Sequence, residues 1–181
     1  MHLFLLGGNS KGNWEWINQV SEEFDSLFSD CTLQYYNRWE QEHDMEDSDI
    51  PLEAEKLKGL IMNLADEDYA ILAKSIGAVV AMTAIREYGL KPRACFFFGL
   101  TTKESDETSE FFKGLLMDWN TPTLFGQNSD DPQGAMKQVR SLIVNCRVLN
   151  FETAEYSGST HKYERLESIK EDVGRFLGRI N

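Results

Sequence analysis

The amino-acid sequence predicts a single-domain α/β fold of three layers, in which helices cover both faces of a mainly parallel six-stranded sheet. Three observations carry that expectation. Short apolar runs of strand length alternate with longer amphipathic stretches of helical period, six of each. Gly and Pro punctuate the joins, and right-handed crossovers leave few arrangements for such units other than side by side in one parallel sheet. At 181 residues, 41% of them hydrophobic, residues 1–181 can bury one sizeable core, and a second domain has no room.

Residues 2–6 are an apolar run and form the first strand, followed by Gly7-Gly8-Asn9-Ser10-Lys11-Gly12, a turn too rich in glycine for either regular element. Residues 13–28 then read as an amphipathic helix with Trp16, Val20, Phe24 and Leu27 on one face. A second strand is expected at 32–36. The acidic, polar stretch 38–49 reads as an exposed loop, and Pro51 opens a helix carrying Leu57, Leu60, Ile61 and Leu64. The third strand is expected at 69–74, and a helix of small and aliphatic residues at 76–88 ends at Gly89. Pro92 marks the break before a fourth strand at 94–98, whose aromatic residues on both faces imply cover on both sides. A helix at 105–119, a fifth strand at 122–125, a helix at 133–142 and a sixth strand near 147–151 follow. A polar loop with Gly158 and His161 then leads to a last helix at 166–177.

A formal net charge of -12 and a pI near 4.7 repel nucleic acid and anionic membranes, count against a phosphate-rich partner, and point to a soluble cytoplasmic protein. Cys31, Cys95 and Cys146 are odd in number and widely spaced, each at the start of an expected strand, which suits buried thiols better than disulfides or a metal cluster. Only residues 3–6 form an apolar run near the amino terminus, with no basic stretch ahead of them, so nothing there is expected to direct export. No cofactor is called for.

The most informative stretch lies around Ser75. An apolar run ends at this serine, Gly77 follows two residues later, and a small-residue helix begins, so the hydroxyl falls at a strand-to-helix turn above the sheet. Small residues at Ala73 and Gly77 let strand and helix approach closely there. In an open parallel sheet, ligands sit beyond the carboxyl ends of the strands where strand order reverses. If the second strand lies outside the first and the third on its other side, the glycine turn faces Ser75. Backbone amides of Asn9 and Ile76 could then both donate to a tetrahedral oxyanion, and losing one such donor typically costs about 3 kcal/mol of barrier lowering.

A serine hydroxyl needs a base, and the base needs an orienting acid. Among three histidines, His2 begins the first strand at the remote end, and His43 sits among Glu40, Glu42, Asp44 and Glu46 on a solvated stretch. His161, after the last strand, is the candidate. The acid should follow another strand on the same edge: Asp131 is preferred, Asp130 is the alternative, and Asp106 stands third.

With Leu-Leu-Gly-Gly-Asn, Ala-Lys-Ser-Ile-Gly, Gly-Gln-Asn-Ser-Asp-Asp-Pro and Gly-Ser-Thr-His ahead of a final helix, the chain resembles the α/β-hydrolase family over nearly its whole length. It looks most like the short lidless serine hydrolases. The resemblance implies hydrolysis of an ester, thioester or amide on a small or medium acyl group through an acyl-serine. It supports Asp131, since the aspartate directly before proline is the usual acid in such proteins. The chain departs from the pattern at Ala73, at Lys74, where His or an apolar residue is commoner, and at Gly7, where many members have His. About two dozen residues separate the fourth and fifth strands, enough for one helix but no cap, so an open site bounded by Phe111, Phe112 and Trp119 is expected. The glycine turn lacks the Gly-x-Gly-x-x-Gly spacing of a dinucleotide site. A catalytically silent binding or interaction protein on the same fold is the alternative, because fold does not fix function.

Overall fold

The computed structural model describes residues 1–64, 67–102 and 106–180, the side chains of 106–109 excepted. Six strands, β1 (His2–Leu6), β2 (Asp30–Gln34), β3 (Tyr69–Lys74), β4 (Ala94–Phe98), β5 (Thr123–Asn128) and β6 (Phe151–Tyr156), form one sheet in the order β2-β1-β3-β4-β5-β6. Every pairing is parallel. Helices α1 (Asn13–Phe24), α2 (Asn37–Glu40), α3 (Ile50–Met62), α4 (Ile76–Tyr88), α5 (Asp106–Leu116), α6 (Met136–Asn145) and α7 (Leu166–Ile180) make the outer layers.

The central strands are apolar because both their faces are covered. β1, β4 and β5 are buried at every position, and β3 at all but Tyr69, whereas the edge strands β2 and β6 are half exposed. Both edges correct the sequence reading, as do β5, which runs on to Asn128, and α6, which starts at Met136. β2 starts and ends two residues earlier than expected, since it pairs His2–Leu6 residue for residue with Asp30–Gln34. Tyr36 therefore leaves the sheet and turns its hydroxyl back to donate to the Gly7 carbonyl at 2.9 Å. β6 starts at Phe151, where residues 147–151 had been the expected strand, because Arg147 (φ 54°) and Asn150 (φ 51°) take left-handed conformations that break an extended run. Cys146 accordingly caps α6 and does not begin a strand. All three cysteines are free thiols, Cys95 and Cys146 buried and Cys31 half-buried.

The stretch 38–49 is not simply an exposed loop. It holds α2 and a single 3-10 turn, Asp47–Asp49, and sends Trp39 and Met45 into the core. Arg38 clasps it, pairing with Asp49 at 3.0 Å and Glu46 at 3.2 Å. One helix, α5, links β4 to β5, and no cap domain stands over the carboxyl edge among the described residues. No described helix is long and apolar enough to cross a membrane.

Candidate active site

Strand order reverses between β1 and β3, so the glycine turn after β1 and the turn after β3 meet on the carboxyl edge. Leu6 and Ala73 are register partners at that edge. Ser75 follows with φ 53° and ψ -122°, while its amide still extends the ladder by donating to the Phe98 carbonyl at 2.9 Å. α4 begins at the next residue, and its first amides have no intrahelical acceptors.

Gly77 lets the two turns touch. A Cβ there would lie 2.5 Å from the Gly7 carbonyl oxygen and 2.9 Å from the Tyr36 hydroxyl, both fixed groups. Gly77→Ala should therefore destabilise the protein by about 1–3 kcal/mol through overpacking. Gly59→Ala, on an exposed helical position where a Cβ meets nothing, should be neutral or stabilising by about 0.5–1 kcal/mol. Urea denaturation of the two variants checks the contrast, and equal effects would show that the close approach does not matter.

The turn after β1 is held from outside. The Asn9 carbonyl accepts from Trp39 Nε1 at 2.8 Å and from the Met45 amide at 3.0 Å, which sets the orientation of this peptide beside Ser75. Asn13, at the start of α1, lies directly under the turn, where a Cβ on Gly7 or Gly8 would strike it at 2.9 Å.

Asp131 and His161 come together from the loops after β5 and β6. Their carboxylate and ring meet through Nδ1 at 3.0 and 2.9 Å from the two oxygens, and the Asp131 side chain is fully enclosed. Tyr163 donates to the same carboxylate at 2.7 Å, and the Gln133 amide at 2.8 Å. Burial by itself raises the Asp131 pKa, but these donors, His161 first and Tyr163 second, outweigh it and hold the group below the ordinary carboxylate range. The Tyr163 hydroxyl is pushed well above its ordinary value by burial and by the carboxylate it bonds, so it remains a donor.

The loops themselves are anchored by β5. Asn128 Nδ2 donates to the Thr160 carbonyl at 2.8 Å and the Lys162 carbonyl at 3.0 Å, gripping the chain on both sides of His161. Gln127, wholly buried, accepts from the Leu100 amide at 3.0 Å and donates to the Gly134 carbonyl at 2.5 Å. The other ring nitrogen of His161, Nε2, is buried and has no hydrogen-bond partner among the described residues.

A cavity of about 720 Å³ opens at this point, with Ser75, His161, Asn9 and Ile76 among its walls. It runs along α4 past Val79 and Thr83 to Glu87, flanked by Ile50 and Pro51 of α3 and by Phe111, Phe112 and Leu115 of α5. Trp119 is not part of the wall; it is buried against Phe97 and donates to Thr123 at 2.8 Å.

Asp130 is exposed and accepts from Ser129 at 3.0 Å, away from His161. The Asp106 side chain lies outside the described residues. His2 bonds Thr32 at 2.8 Å at the far end of the sheet, and His43 is exposed. Sequence reasoning missed Trp39, Asn13 and Tyr163 as supports of the site. Only Trp39 left a trace, as an isolated large apolar residue in an acidic stretch. Among the described residues no three His, Cys, Asp or Glu side chains converge as metal ligands.

This architecture is the α/β-hydrolase fold in a minimal form. Comparison with solved structures finds the same fold at low sequence identity. An uncharacterized protein from Bacillus cereus superimposes with a TM-score of 0.75 at 19% identity over 97% of this chain, which spans 60% of that protein's length. YbtT, a type II thioesterase from the yersiniabactin NRPS/PKS biosynthetic pathway, gives 0.69 at 14% identity over 99% of this chain and 93% of its own. A monoacylglycerol lipase from Paleococcus ferrophilus gives 0.72 at 10% identity, covering 99% and 95%. No protein-family model and no curated protein sequence matches the chain.

Proposed function

We propose that the protein is a serine hydrolase that cleaves an ester or thioester of a small or medium acyl group through an acyl-serine. Ser75 is the nucleophile, His161 the base, Asp131 the orienting acid, and the amides of Asn9 and Ile76 the oxyanion donors. The observation that carries this reading is the unpartnered, buried Nε2 of His161, in the cavity it shares with Ser75, while Nδ1 is tied to an enclosed carboxylate. That hydrogen bond leaves the proton on Nδ1 and the lone pair on Nε2, the tautomer a general base requires.

In this mechanism Nε2 takes the Ser75 proton as Oγ attacks the acyl carbon, and negative charge gathers on the former carbonyl oxygen beside the two amides. Asp131 stabilises the imidazolium without accepting its proton. Nε2 then gives the proton to the leaving group, and water repeats the sequence to release the acid. The thioesterase and lipase among the structural neighbours act on bonds of this kind, which supports the choice of reaction. Covalent labelling with a fluorophosphonate probe tests the reading, and unlabelled folded protein would overturn it.

Among the described residues, the charged side chains of the cavity wall, Asp47 and Glu87, are both acidic. A neutral or cationic acyl group is therefore favoured over an anionic one. A butanoyl ester should be hydrolysed with at least about tenfold higher kcat/KM than its succinyl counterpart, the effect of roughly 1.4 kcal/mol of like-charge repulsion. The gap should narrow in Glu87→Gln or Asp47→Asn. Equal rates for both esters in the native protein would refute the preference.

A further inference from the structure

Lys74, the residue directly before the strained serine, is the least expected group in the core. It is 93% enclosed at the end of a strand that is otherwise apolar, and the mechanism above gives it no proton to move. Packing does not call for it: a methionine of similar length would fill the slot without desolvating a charge. Its contacts are specific. Nζ donates to Asn13 Oδ1 at 2.8 Å and stands 5.4 Å from the centroid of the Trp16 ring. Asn13 in turn uses Nδ2 to donate to the Ser10 carbonyl at 2.9 Å and the Ser10 hydroxyl at 3.1 Å. A continuous chain of hydrogen bonds thus runs from the end of β3, beneath the glycine turn, to the residue after Asn9. Asn13 is nearly buried, so without Lys74 its Oδ1 would lack this partner in a place water scarcely reaches.

We propose that Lys74 is a positioning residue for the oxyanion turn, holding through Asn13 and Ser10 the backbone that presents the Asn9 amide. The inference rests on the serine-hydrolase reading and extends it to a group outside the triad. Trp39 and Met45 hold the Asn9 carbonyl from the outer side, and the Lys74 chain holds the following residue from beneath. Positioning of this kind acts on the step in which the oxyanion forms, so it bears on kcat and scarcely on ground-state binding.

The bond to Asn13 is strongest while the lysine is charged. Burial pushes the Lys74 pKa down to about 8, against the pull of Asp131 and Glu164 and with Lys162 adding to the fall. Those three face it from the loops after β5 and β6, while α1 offers the uncharged Asn13 and Trp16. As pH rises through that value the donor becomes a neutral amine, the turn loosens, and kcat falls.

Native protein should show an alkaline limb in kcat near pH 8. Lys74→Met should lose about tenfold or more in kcat with KM nearly unchanged, lose that limb, and bind a phenylboronic acid, a tetrahedral mimic, correspondingly less tightly. Asn13→Ala, which cuts the same chain one link later, should match it on all three readouts. Kinetics are read after thermal unfolding shows each variant folded. Native kcat that stays level through pH 9, or either folded variant with native kcat and native boronate affinity, overturns the proposal. If the native protein is not labelled by a fluorophosphonate, the hydrolase reading fails and this inference with it. If the native protein is labelled and the variants are unimpaired, only the role of Lys74 fails.

Discussion

Replacing Ser75 by Ala should abolish fluorophosphonate labelling and nearly all hydrolysis while leaving the unfolding free energy within about 1 kcal/mol of the native value. The side chain touches solvent in the cavity and makes no cap to α4, so the hydroxyl contributes little to packing. The backbone strain is shared by both residues, because Ala bears a Cβ as Ser does. Labelling intensity and urea denaturation measured on the same preparation separate a lost nucleophile from a lost fold. Undiminished labelling would move the nucleophile elsewhere.

Asp131→Asn should lower kcat by about four orders of magnitude, the effect of presenting the wrong histidine tautomer to the serine. Asp130→Asn should change it little, since that carboxylate lies in solvent against Ser129. His161→Gln should remove most activity and, from what remains, the rise of rate with pH that a neutral imidazole imposes, whereas His2→Gln and His43→Gln should keep that rise. The Asp131 pKa is held below its ordinary value, so its carboxylate stays charged across the range of these assays. The same depression makes a statement about stability: the contribution of Asp131 is complete above the unfolded pKa of about 3.9 and is lost as pH falls through the lower folded value. Measured pH-rate profiles for the five variants decide the assignment, and a reversed ranking of the two aspartates would transfer the role.

What the sequence made legible follows from burial. β1, β3, β4 and α4 are mostly apolar runs that end at a turn residue, Gly7, Ser75, Gly99 and Gly89 in that order, and their ends were read to the residue. The edge strands misled because they are half exposed: β6 carries Glu152, Thr153 and Glu155 and no continuous apolar run, and the apolar signal fell on Val148 and Leu149 in the turn before it. Ser75, His161 and Asp131 could be proposed because chain order and strand ends decide which loops share an edge. The supporting groups could not. Asn13 with Lys74, Trp39 with Asn9, and Trp16 with the Tyr163 carbonyl are contacts across 61, 30 and 147 residues, and no local pattern announces them.

The backbone at Ser75 carries one more implication. Its φ and ψ match the first central position of a type II′ turn, where glycine rests without strain and a residue with a Cβ costs about 1–3 kcal/mol. Folding stability taken alone would thus put glycine at this position, and a glycine variant should lie energetically downhill from the native chain. Serine is the better choice only if its hydroxyl matters for something other than folding. The molecule therefore stands away from its own stability optimum at Ser75, a displacement that agrees with the proposal that this side chain serves chemistry.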